Sequence, residues 1–204
     1  MKHSKGLIAL DGDGVLLDYN LAYAHAWERA FGVRPELIDA NAYWPMDRYQ
    51  VAHLNGAAMA KLQAARGDLV WSSMQAIGGA LEACNRLVDA GYELVCVTAI
   101  KTEFLNARTQ NIRELGFPIE RVISTPREGH GSISPKAGAL AELMPLAFVD
   151  DLAPYLRGIP QKVHAALILR DPNGSPNVGE ALALADSTHA NLAAFATWWV
   201  EQSE

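Results

Sequence analysis

The chain has 204 residues, half of them hydrophobic and a fifth charged, and a net charge of −6. That length and composition suit one globular domain, or one core domain with a small insertion, and exclude a disordered chain. The acidic balance argues against nucleic-acid binding, which draws on excess Lys and Arg, but leaves room for a phosphorylated small molecule held by local positive charge.

The N-terminal stretch MKHSKGLIALDGDG starts basic, but its apolar run is only Gly6 to Leu10, too short for a secretory signal. Leu7 to Leu10 reads instead as a first buried strand, ending in Asp11-Gly12-Asp13-Gly14. From Tyr19 to about Met74 no strand pattern appears. That region reads as helices with breaks at Gly32–Pro35, Trp44-Pro45 and Gly67-Asp68, an inserted helical subdomain set over the end of the first strand. Gly79 to Ala90 then carries Leu81, Cys84, Leu87 and Val88 at helical spacing and stops at Gly91. A second strand is expected over Glu93 to Thr98, followed by a helix over Thr102 to Leu115. A third strand is expected over Arg121 to Ser124, a helix over Lys136 to Met144, and further strands over Leu146 to Val149 and Ala165 to Leu169. A helix is expected just after Asp151 and another over Thr188 to Glu201. The loop Thr125 to Pro135 is polar and glycine-rich, hence exposed. Short, nearly all-apolar strands alternating with helices predict an α/β fold, a Rossmann-like parallel sheet with right-handed crossovers. The expected division is a core of residues 1–18 and 75–204 with an inserted helical cap at 19–74. No stretch approaches the roughly 18 apolar residues of a membrane helix. Cys84 and Cys96 lie in apolar segments without a CxxC and read as free thiols of a reducing compartment. A soluble cytoplasmic protein, monomer or homodimer, with no membrane or nucleic-acid partner is expected.

In an open parallel sheet, ligands bind beyond the carboxyl ends of the strands. After the first strand come Asp11 and Asp13, after the second Thr98, after the fourth Asp150 and Asp151. Lys136 opens the helix before that fourth strand. Taken singly, each has an ordinary explanation as a turn, cap or solvated residue. Taken together, four acids on one sheet edge repel, each unit pair costing roughly 4 kcal/mol at ~4 Å and an effective dielectric of ~20. A hard divalent cation relieves this, and Mg²⁺ is the common one where phosphate is also a ligand. A carboxylate can attack phosphorus to give an aspartyl-phosphate. The cation and the lysine offset its repulsion from the phosphate, and a second carboxyl carries the proton to and from the leaving oxygen and the attacking water.

These residues resemble, in order, the four motifs of the haloacid dehalogenase-like hydrolase superfamily, most of whose members are phosphatases. Ile8-Ala9-Leu10-Asp11-Gly12-Asp13-Gly14-Val15 is similar to the first motif and Cys96-Val97-Thr98 to the second. Lys136 is similar to the third, and Phe148-Val149-Asp150-Asp151 to the fourth. The resemblance implies a phosphatase of a small phosphate ester, with Asp11 as nucleophile and Asp13 as general acid/base. Thr98, Ala99 and Lys136 would meet the phosphate. Mg²⁺ would be held by Asp11, the backbone carbonyl of Asp13 and Asp150, with Asp151 either a further ligand or a carboxylate that supports those ligands from behind. The insertion falls where the family carries its cap. Three positions depart from the pattern. Gly12 stands where a bulky apolar residue is usual, which opens space beside the nucleophile. Ala99 follows Thr98 where Asn, Ser or Gly is common. Tyr155 stands where many members have another acid. Dehalogenases of the family generally lack the second acid of the first motif, so Asp13 favours phosphate chemistry.

Other residues are given plain readings. Trp44, Arg48 and His53 are assigned to the insertion's own core and surface, His130 to an exposed loop, Asp18 to a helix cap, and Trp198-Trp199 to packing on the sheet or at a dimer interface. Three alternatives use much the same residues. A phosphomutase would return the phosphoryl group to sugar, and a silent binding protein would do no chemistry. A receiver-type signalling domain would be phosphorylated on Asp, but the order of acids, Thr and Lys argues against it.

Overall fold

A computed structural model describes residues 4–126 and 133–202, so His130 and most of its loop lie outside the described residues. In chain order, β1 (Gly6–Leu10) leads into four helices, α1 (Tyr19–Phe31), α2 (Pro45–Arg48), α3 (Gly56–Ala65) and α4 (Asp68–Ser72). Then follow α5 (Ala80–Asp89), β2 (Tyr92–Thr98), α6 (Leu105–Glu114), β3 (Arg121–Ser124), α7 (Ala137–Leu143), β4 (Ala147–Asp150), β5 (His164–Ile168), β6 (Ser187–His189) and α8 (Leu192–Gln202).

All neighbouring strands pair in parallel, in the order β3-β2-β1-β4-β5-β6. The chain reverses its direction of travel between β1 and β4, which makes the crevice beyond these strands the binding position of a doubly wound sheet. Both sheet faces are covered, as the unbroken apolar runs require. Ile8, Leu10, Cys96 and Val149 face a large cluster that includes α5, α8 and the inserted helices, with Phe195 fully buried in it. Ala9, Val95, Val97, Phe148 and Leu167 face the opposite way, against Leu140 of α7. Cys84 and Cys96 are free and buried. No helix among the described residues is long and apolar enough to cross a membrane.

The structure departs from the sequence reading in four places. The expected last helix does not begin at Thr188. Ser187–His189 adds a sixth strand beside β5, and α8 starts after Asn191, whose side chain accepts from Ala194 N at 2.9 Å. The helix expected after Asp151 is a single 3₁₀ turn over Ala153–Leu156, with Pro154 in it. Thr102–Phe104 is also 3₁₀, and α6 proper begins at Leu105. Trp44-Pro45 does not divide two adjoining helices: residues 32–44 are not helical, and Pro45 opens α2, where its missing N–H costs nothing. Asp18 caps α1, accepting from Leu21 N at 2.8 Å. Trp198 and Trp199 pack at the sheet edge, where Trp198 lies 5.3 Å from the His164 ring and 5.1 Å from that of His189.

Candidate active site

The register of β1 against β2 and β4 sets Leu10 level with Cys96 and Val149. The residues that follow therefore emerge on one edge. Asp11 N donates to Val149 O at 2.9 Å, which locks the start of the acidic loop to β4. Gly14 then turns the chain with φ 88°, and a side chain there would overlap the Asp151 carboxylate and Arg170.

Lys136 is the hub. Its side chain is fully buried, and its Nζ lies 2.6 Å from Asp11 Oδ1 and 2.7 Å from Asp150 Oδ2. The ring of Tyr155 lies over the ammonium at 4.8 Å and that of Phe148 at 5.4 Å. Tyr155 thus helps to enclose the cation. Asp11 Oδ1 also accepts from Gly12 N at 2.7 Å, and Asp150 Oδ1 accepts from Leu152 N at 2.8 Å. Asp11, Asp150 and Asp151 can each bring a carboxylate oxygen within 4.8 Å of the others. An all-oxygen donor set of this kind fits a hard divalent cation. The Asp13 carboxylate is not in that group and turns instead to Arg108.

Burial pushes the Asp11 carboxyl well above the usual carboxylate range. Lys136 pulls it back, and the neighbouring acids Asp150, Asp151 and Asp13 push it up further. Asp150 is pushed up to about 6, by burial first and against the pull of Lys136. Burial alone would lower Lys136, but its two carboxylate partners outweigh that and hold it protonated.

Two arginines and a tyrosine that the sequence reading did not single out complete the site. Arg108, on α6, is fully buried and donates from Nη2 to Asp13 Oδ1 at 2.6 Å. Arg170, two residues past β5, donates from Nε to Asp151 Oδ2 at 2.6 Å and from Nη1 to Asp171 at 2.6 Å. Tyr43, from the inserted region, sets its hydroxyl 3.1 Å from both Asp151 O and Asp151 Oδ2, and its ring lies 4.3 Å from the Arg170 guanidinium. The four site acids therefore meet three cations rather than one. Each arginine neutralises one outer acid, and the residual negative charge falls on the Asp11–Asp150 pair around Lys136.

A cleft of about 120 Å³ opens above this set. Asp11, Asp13, Thr98, Ala99, Asp151 and Arg170 line its floor, and Tyr19, Tyr43, Trp44, Trp71 and Tyr155 its walls. The structure thus brings Asp11, Asp13, Thr98, Lys136, Asp150 and Asp151 to one place, with Ala99 beside them. His53 is exposed and stands apart, while Arg48 pairs with Asp171 at 3.2 Å.

No protein-family model matches the chain, and no curated protein sequence matches it. Solved structures do. A haloacid dehalogenase-family hydrolase from Deinococcus radiodurans R1, with bound phosphate and sodium, superposes with a TM-score of 0.64 at 18% identity over 97% of this chain and 96% of that one. A dehalogenase with an intermediate complex gives 0.61 at 15% identity over 97% and 98%. D,D-heptose 1,7-bisphosphate phosphatase from B. bronchiseptica, complexed with magnesium and phosphate, gives 0.53 at 15% identity over 96% and 98%. At these identities the likeness is one of fold. The chain has the Rossmann-like fold of the haloacid dehalogenase-like hydrolases, with a small helical cap.

Proposed function

We propose that this protein is a Mg²⁺-dependent phosphohydrolase of a small phosphorylated metabolite, working through a phospho-Asp11 intermediate. The observation that carries the reading is the cluster of buried acids Asp11, Asp150 and Asp151, the first two paired with Lys136, beneath a cleft that Asp11 and Asp151 line. The phosphate complexes of the similarly folded hydrolase and phosphatase support the same class. Residues 19–74 act as the cap in this account, and residues 1–18 and 75–204 as the core.

In the proposed reaction Asp11 Oδ2 attacks phosphorus while Lys136 and the Gly12 amide hold Oδ1. The bond from phosphorus to the leaving oxygen breaks, and Asp13 passes a proton to that oxygen. Asp13 then takes a proton from water, which attacks the same phosphorus and frees Asp11. Thr98 Oγ1, buried and without a protein partner, is the hydroxyl for a phosphoryl oxygen. Asp11, Asp150 and Asp151, with the backbone carbonyl of Asp13, would hold Mg²⁺, which when bound supplies positive charge to the transferring phosphoryl group. The aromatic walls exclude water and limit the leaving group to a compact one. Asp13 is the feature that favours phosphate over carbon–halogen chemistry. The test is release of inorganic phosphate from a panel of phosphorylated metabolites. Activity lost on chelation and in Asp11→Asn is the expected result.

A further inference from the structure

Gly12 is not a glycine for conformational reasons, since its φ lies outside the left-handed region. It is a glycine for space. A Cβ at position 12 would lie 2.9 Å from Arg108 Nη1 and 2.9 Å from Thr98 Oγ1. The room beside the nucleophile is therefore filled by a guanidinium that reaches in from α6. That guanidinium has no exposed surface, packs 5.2 Å from the Trp71 ring, and has Met74 Sδ 3.5 Å from Nη2. An arginine stays charged in such a place, and a buried charge is tolerated only where a partner demands it. The partner here is Asp13, whose Oδ1 takes the 2.6 Å bond while its side chain remains a quarter exposed to the cleft. Nε and Nη1 make no hydrogen bond, so the Asp13 contact is the one strong interaction that orients the group.

We infer that Arg108 is a positioning residue for the reaction, fixing the Asp13 carboxylate so that its second oxygen faces the leaving group and the water, and that Gly12 is required to admit it. The inference rests on the role proposed for Asp13. Arg108 does not line the cleft, so it acts through Asp13 and not on substrate.

A double-mutant cycle tests it. Arg108→Met keeps the stem and removes the fork. In the native background it should lower kcat about 10²-fold, the scale on which misplacing a reacting group acts. KM and the affinity for inorganic phosphate should stay within about twofold, and in an Asp13→Asn background the same change should matter less than about twofold. Equal losses in both backgrounds, or a loss in phosphate affinity instead of kcat, would overturn the inference. If Arg108→Met does not fold, Arg108→Lys keeps the buried charge and loses only the planar fork. It should give the same kcat loss and the same silence in Asp13→Asn, and additive losses would count against the proposal. If the native protein releases no phosphate from any ester, the functional reading fails by itself. The positioning claim is then read from the crystal structure of Arg108→Met, where a rotated Asp13 carboxylate supports it and an unmoved one refutes it.

Discussion

Lys136 shows how much of the site depends on a single side chain. It is the shared partner of Asp11 and Asp150, and all three are buried. Lys136→Met leaves two buried acids without their cation, and breaking such a buried pair costs about 3–5 kcal/mol. Both acids are already held above the usual carboxylate range, so they accept protons readily once the lysine is gone. The loss, measured by urea unfolding, should be largest near neutral pH and shrink toward about pH 5, where protonation removes the buried charge. A loss that is the same at both pH values would mean that the ion pairs are not its source.

The residues found only in the structure were legible to different degrees. Arg170 and Asp171 follow β5 just as Asp11 follows β1, so extending the strand-end rule to the fifth strand would have found them. Arg108 shares the buried face of α6 with Asn111 and Ile112, and an arginine in line with apolar positions on a helix is itself a signal. Tyr43 gave no signal, because its partner Asp151 is 108 residues away and the inserted region around Tyr43 has no strand pattern to place it. Gly12 was legible as space beside the nucleophile, but not as space already taken by a guanidinium.

At the scale of elements, local chemistry set most boundaries and tertiary pairing set the exceptions. β1, β2 and β3 fall where apolar runs end in turn residues, and α1 starts where Asp18 caps it. Asp18→Ala should cost about 1 kcal/mol in denaturant unfolding, and no measurable loss would remove the cap from the account of α1. Ser187–His189 was misread because three residues carry too little periodicity, and only pairing with β5 makes them a strand. The cap is tied to the core at Asp151 by the Tyr43 hydroxyl and at Asp171 by Arg48. Tyr43→Phe removes the only cap hydroxyl on Asp151 among the described residues and should cost about 1 kcal/mol. It should also raise the rate of proteolytic cleavage within residues 33–44 of the native protein. Unchanged stability and cleavage would show that the contact does not hold the cap.

At the scale of the whole molecule, the sheet's topology is what turns separate sequence motifs into one site. The order β3-β2-β1-β4-β5-β6 places β1 between β2 and β4, so Asp11, Thr98 and Asp150 meet at one edge. The assembled charges make stability depend on metal and pH together. A carboxyl whose folded value is raised, such as Asp150 at about 6 against an ordinary 3.8, lends stability at low pH that is lost as pH rises through that window. Cation binding competes with those protons, so the rise in Tm produced by saturating Mg²⁺ should be larger at about pH 7.5 than at about pH 5. A rise independent of pH would place the ion elsewhere.

The measurement that bears most directly on the central claim is phosphate release from a panel of phosphorylated metabolites, with Mg²⁺ and with chelator, by the native protein and by Asp11→Asn. The account predicts Mg²⁺-dependent release from at least one compact ester that disappears in Asp11→Asn while the variant keeps its fold. Release that survives in Asp11→Asn, or none from the folded native protein on any member, would contradict it.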